Sequence, residues 1–134
     1  MACVTQSGFV STAKRLVGAT PAVFASMALG YGASSDTAAS IVSALATEVT
    51  VAALTRQTAA TADAAGSSAT ASDTCRFVGV WTCSSDLATT IKECGVFNSA
   101  TGGEELCYGT FATGIPMSSG DTLQVTWSVT VKAG

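Results

Sequence analysis

The residues best able to do chemistry in this chain are its five cysteines, because the sequence contains no histidine. A Ser-His-Asp or Cys-His arrangement is therefore excluded. Without histidine, a cysteine nucleophile needs a nearby cation to lower the pKa of its thiol. On a strand, Arg76 would point away from its neighbour Cys75, while Lys92 would share a face with Cys94. These pairings do not indicate an active site. The five cysteines are Cys3, Cys75, Cys83, Cys94 and Cys107.

The sequence gives equally little indication of a metal site or of catalysis by paired carboxylates. It contains no CxxC pair of the kind that zinc sites use. The only adjacent carboxylates, Glu104 and Glu105, follow the glycine-containing turn 98–103 and are predicted to form a solvated corner rather than a glycosidase pair. No phosphate-binding glycine loop follows a strand. We therefore predict no catalytic, cofactor-binding or metal-binding residue and no enzymatic activity.

The composition indicates a protein whose surface is completed by Ser and Thr or by neighbouring subunits. The chain is 48% hydrophobic and only 11% charged, with a net charge of −3, whereas ordinary soluble domains have about 25% charged residues. This balance predicts neither nucleic acid nor a membrane as a partner. The apolar stretch 22–31 is too short to span a bilayer, and residues 1–8 do not resemble a signal peptide. We expect synthesis and folding in a cytoplasm.

A cytoplasmic product favours reduced cysteines, buried as small apolar side chains. One disulfide stays open as an alternative. If the hairpin that follows residue 97 centres between Ala100 and Thr101, Cys94 lies opposite Cys107, with Cβ atoms about 4.5–5.5 Å apart, near disulfide range. Two thiols lying side by side are the preferred interpretation.

The strongest structural signal is the strand 122–132, in which apolar and polar residues alternate without a break. Successive strand side chains point to opposite faces, so one face is apolar and the other polar. Such a strand is expected to have partners on both edges and a second layer over its apolar face. The predicted strands 74–83, 89–97 and 106–112 precede it with tight turns between them, which favours an antiparallel meander.

The first half of the chain is less regular. Phe9, Ala13 and Leu16 recur at helical spacing and predict an amphipathic helix over 8–17, with Lys14 and Arg15 on its solvated face. Residues 22–32 and 47–55 are predicted strands, and 36–46 is a predicted helix. Residues 56–74, nearly all Ala, Thr, Ser and Gly, are predicted to be an extended arm or loop with one weak strand. The fold is predicted to be mostly β, a single antiparallel β-sandwich domain over 1–134, jelly-roll-like, with the helical segment at 1–17.

Three short motifs in the second half resemble a known family. They are Ile91, Glu93, Gly95, Val96, Phe97 and Asn98; then Gly109, Thr110 and Phe111; then Gly120, Asp121, Thr122 and Leu123. In this order they are similar to a family of tailed-phage virion proteins, whose members serve in head decoration or as tail and fibre parts. Residues 44–56 resemble that family more loosely. The resemblance implies a structural part of the virion.

Together, the resemblance and the low charge predict a capsid decoration (cement) protein. It would be made in the host cytoplasm, bind the outer shell of the virion and bridge capsomers. Its expected partners are the major capsid protein and copies of itself in a trimer, through the segments 1–17 and 56–74, with no small-molecule substrate. The alternative is a tail, collar or fibre-attachment protein, which copy number per particle would distinguish. A carbohydrate-binding module is less favoured, because Trp81 and Trp127 both lie on predicted apolar faces.

Overall fold

The computed structural model describes residues 2–20, 22–32, 44–64 and 74–130. Within those ranges, no helix is long and apolar enough to cross a membrane. In chain order the elements are β1 (Ala2–Val4), α1 (Gln6–Leu16), β2 (Ser26–Gly30), β3 (Gln57–Thr58), β4 (Ala60–Ala64), β5 (Thr74–Thr82), β6 (Ile91–Phe97), β7 (Glu105–Ile115) and β8 (Thr122–Thr130).

The strands form two antiparallel sheets that pack against each other. The first sheet has the order β1-β7-β6-β2-β3, and the second has the order β4-β5-β8. Met27, Leu29 and Val96 of the first sheet share one buried core with Phe77 and Trp81 of the second. The predicted fold class, a mostly β antiparallel sandwich with one short N-terminal helix, is confirmed.

The strand order differs from the predicted meander. β5 pairs with β8 along its whole length, and β6 pairs with β7, so the chain changes sheet after β5 and again after β7. The meander is wrong because alternation along a strand identifies the strand but not its neighbour. Among the described residues, β8 has one neighbouring strand, β5, so a partner on its other edge stays a prediction. At this edge the apolar side chains of β8 are half-buried.

The register of the β6–β7 hairpin separates the two cysteines that were predicted to face each other. Cys94 lies opposite Gly109, and Val96 lies opposite Cys107. The hairpin centres one residue later than the spacing predicts, and a register shift between Val96 and Phe97 follows. The predicted cross-strand pair is therefore wrong, and neither cysteine forms a disulfide.

The predicted strand 47–55 is also wrong. A single bridge between Gly30 and Glu48 is the only sheet pairing in that stretch. Ala52 and Ala53 then take left-handed backbone angles, with φ of 55° and 61°, and such angles end an extended segment. The β-branched composition of this segment favours a strand, but the chain turns between Val49 and Leu54, which are both buried in the core.

The remaining predictions for the first half have mixed outcomes. β2 is shorter than the predicted strand 22–32 and is buried on both faces. The predicted helix 36–46 lies outside the described residues except at 44–46. In the predicted arm 56–74, the described part contains β3 and β4, which pair with β2 and β5 of the same chain. Residues 65–73 lie outside the described part.

Candidate functional site

The cysteines whose neighbours include a cation in the sequence are not arranged for catalysis in the structure. Cys94 is 1% exposed. Burial, reinforced by the negative charge of Glu105 and Glu93, raises the pKa of its thiol to about 12. A thiol with so high a pKa stays protonated near neutral pH and is a poor nucleophile. Cys75 and Arg76 are both exposed on β5. Within the described ranges, no three cysteine or acidic side chains lie close enough to hold a metal ion.

The adjacent glutamates do not form the solvated corner that the sequence predicts. Glu105 is fully buried in the first sheet, as is Glu93. Each side chain occupies space that a glycine leaves open. A Cβ on Gly95 would come within 2.8 Å of Glu105 Oε1, and a Cβ on Gly30 would collide with Glu93. Leu45, which is distant in sequence, lies beside the same glycine, since a Cβ on Gly95 would be 3.0 Å from its Cδ2.

Arg56 links the segment before β3 to the turn after β6. Its guanidinium forms an ion pair with Glu48 at 2.7 Å and lies 3.8 Å above the centre of the Phe97 ring. It also donates hydrogen bonds to the carbonyl oxygens of Ser99 at 3.0 Å and Gly102 at 2.7 Å. Because the turn after β6 and the segment before β3 meet at one side chain, Arg56 has a structural role rather than a catalytic one.

The helix α1 lies on the sheet in the opposite orientation from the one that its sequence favours. Its buried residues are Ser7, Gly8 and Ser11, all small. Its apolar residues point away from the domain: Leu16 is 84% exposed and Phe9 is 58% exposed. The predicted amphipathic helix is confirmed as an element, over Gln6–Leu16 rather than 8–17.

Polar contacts to β7 explain this orientation. Thr5 caps the helix by accepting a hydrogen bond from the Gly8 N–H, and its hydroxyl donates to the Glu105 carbonyl. The Ser11 hydroxyl donates to the Glu104 carboxylate. Gly8 also permits close contact, because a Cβ there would lie 2.6 Å from the Leu106 carbonyl oxygen. The helix therefore packs through its small residues, and these residues were the sequence signal for its orientation.

The outward side of α1 forms a continuous apolar surface, which we call the α1 crest. It consists of Phe9, Val10, Ala13, Leu16 and Val17. Val17 is 83% exposed and Val10 38%. A groove of about 640 Å³, lined by Thr12, Arg15, Val23, Phe24, Phe77 and Val129 among others, lies beside the helix. A large exposed apolar patch on a small domain is typical of an interaction surface.

The β8 edge is a second surface suited to contacts between chains. Thr122–Thr130 contains no charged residue, proline or glycine, and its nine residues pair with β5 without a register shift. Sheet edges of isolated proteins usually carry a charge, proline or bulge that prevents further pairing. The β8 edge has none of these protections.

The two tryptophans do not form a carbohydrate-binding platform. Trp81 is 1% exposed and donates a hydrogen bond to the Thr55 carbonyl at 3.0 Å. Trp127 is half-buried against the core and lines a small cavity with Cys94 and Phe111. The prediction that Trp81 belongs to the core is confirmed. Sugar-binding sites of the stacking kind need exposed rings, so this geometry does not favour that function.

Comparison with known proteins agrees with a structural role. A family model described as "Podophage GP4 fiber I protein gp80" matches residues 12–131. The chain belongs to this family. No curated protein and no solved structure shows a significant match. The resemblance to a family of tailed-phage structural proteins is confirmed, and with it the assignment to the structural proteins of the virion. The family is one of structural fibre proteins, which agrees with the absence of a catalytic arrangement among the described residues.

Proposed function

We propose that this protein is a fibre-type structural component of a tailed-phage virion, whose task is to hold neighbouring chains together. The α1 crest is the observation that carries this proposal. Three of its side chains, Phe9, Leu16 and Val17, are more than half exposed. Exposure of apolar area of this kind costs free energy in water, and this free energy is regained when a partner covers the area. The family match supports the fibre over the shell.

The β8 edge supports the same proposal independently. A strand added to this edge would find main-chain donors and acceptors along Thr122–Thr130, and edge pairing is a common route to assembly. The predicted contacts from residues 1–17 agree with the position of the crest. The described part of the arm 56–74 pairs within its own chain, so we propose the β8 edge as a further contact.

Capsid decoration, with the major capsid protein as partner and a trimeric assembly, is the second candidate. The low charge of the chain supports it as well as the first, since both kinds of protein are covered by neighbours in the particle. Besides the resemblance of the motifs, the small share of charged residues, 11% of the chain, supports this candidate.

The two candidates differ in copy number and position. Quantitative mass spectrometry of purified particles should give a copy number that matches the tail fibres if the proposal is correct. Antibody labelling in electron micrographs should mark the tail. A copy number that matches the shell subunits, with label over the head, would replace the fibre with the decoration protein. Absence from the particle would refute both.

A further inference from the structure

We propose that the α1 crest is the self-association surface of this protein, and that its occupant is the α1 crest of a second copy. This inference rests on the proposed structural function and adds the partner and the surface. It depends on four features of the helix: the spacing of its apolar residues, the position of its charges, its exposed area and its attachment to β7.

The spacing of the crest suits helix-to-helix packing. Helical residues advance by about 100° each, so Phe9, Ala13 and Leu16 lie within about 60° of one another on the outward side. Residues separated by four and then three positions form a narrow seam of the kind that two helices share. Ala13 at its centre is small enough to let a second helix approach closely, with the larger side chains above and below it.

The charges of the helix favour a second copy of the same surface. The crest itself carries no charge. The same geometry places Lys14 and Arg15 roughly 100° or more from Ala13, on the flanks that adjoin the body of the domain. Two crests can therefore meet without bringing like charges into the seam. Interfaces between identical chains are more apolar than other interfaces, and the crest has that composition.

The exposed area is of the right size. Exposures of 84% for Leu16, 83% for Val17, 58% for Phe9 and 38% for Val10 amount to roughly 500 Å² of largely apolar surface. A stable interface buries about 800 Å² on each partner. The crest supplies most of this area, and the ends of the neighbouring loops would supply the rest.

The attachment of α1 to β7 holds the helix in one orientation, with the crest facing outward. Ser11 and Thr5 are fully buried, and both donate hydrogen bonds to β7 or the turn before it. Rotation of the helix to bury the crest in its own domain would break these bonds and leave buried polar groups without partners, which is costly. Within the described part of the chain the crest therefore has no cover, and a second chain would supply it.

The test compares two lysine substitutions on the crest with the same substitution elsewhere. In the full chain, Leu16→Lys together with Val17→Lys places charge on the seam. A cation at the C-terminal end of a helix is favourable, so the helix itself is not weakened. Val51→Lys is the matched control, because Val51 is also an exposed valine, at 55%, but lies far from the crest in sequence. Analytical ultracentrifugation gives the mass of each species, and circular dichroism confirms the fold.

We expect the natural chain and the Val51→Lys control to form an oligomer of the 13.3 kDa chain. The double crest variant should be a folded monomer, with the dissociation constant for self-association raised about 100-fold or more. The number of copies follows from the measured mass.

A monomeric natural chain, or a crest variant that stays oligomeric, would overturn the inference. If the natural chain is monomeric but binds lipid vesicles through the crest, the occupant is a membrane surface instead. Copy number and position in the particle test the proposed function separately, so a fibre protein that proves monomeric refutes the crest inference alone.

Discussion

Replacing Gly8 with alanine tests the orientation of α1 directly, because helix propensity and packing give opposite signs. Alanine is favoured over glycine in a helix by about 1 kcal/mol. In the structure, however, the new Cβ would lie 2.6 Å from the Leu106 carbonyl oxygen and 2.9 Å from its Cδ1. Relief of such a contact requires the helix to move off β7, and overpacking costs about 1–3 kcal/mol. We expect Gly8→Ala to destabilise the fold by about 1 kcal/mol net.

Leu16→Ala is the companion variant, since it gives the opposite contrast. Leu16 is 84% exposed, so truncation should change the free energy of unfolding by less than about 0.5 kcal/mol. Burial of the apolar side would instead predict a loss of about 2–5 kcal/mol for this variant and a gain for Gly8→Ala. Urea unfolding, at a concentration where the protein sediments as a single chain, measures both. A stabilised Gly8→Ala together with a strongly destabilised Leu16→Ala would refute the orientation described above.

Three further outcomes are expected. Arg56→Ala should destabilise the fold by about 3 kcal/mol in thermal unfolding, because it leaves Glu48 without its ion-pair partner in a largely buried site; Arg56→Lys keeps the charge but not the planar stacking on Phe97, and a lysine variant as stable as the natural chain would argue against the stacking contribution. Because the pKa of Cys94 is raised in the folded state, the folded protein keeps a proton that the unfolded chain releases. The free energy of unfolding should therefore be unaffected by this thiol below pH 9.0 and decrease as the pH rises towards 12. Urea midpoints should show this fall, and Cys94→Ala should flatten it; an unchanged slope would exclude this thiol. Trp127→Ala should cost less than the 3–5 kcal/mol typical of a fully buried tryptophan, since the ring is half-buried at the sheet edge; a loss in that full range, measured by urea unfolding, would place the ring in the core.

The sequence identifies most residues of the α1 crest, but it does not show that they lie together on the outside of the domain. The spacing of Phe9, Ala13 and Leu16 marked an apolar helix face from the sequence alone. Its direction depended on Gly8 and Ser11, whose small size matters only once β7 is known to lie beneath them. In the same way, the sequence predicts a solvated Glu105, because it does not show that this side chain enters the space beside Gly95, where Leu45 also lies.

The sequence by itself determined the local conformations: alternation produced β5 and β8, helical spacing produced α1, and glycine-rich turns separated the last strands. These features depend on interactions between residues close together in the chain, which a periodic pattern records. The tertiary structure alone decided which strands pair, that β8 is an edge strand among the described residues, which side of α1 faces outward and which glutamates are buried. Those outcomes depend on the shape and hydrogen bonding of surfaces brought together from distant positions, and one-dimensional periodicity holds no record of them.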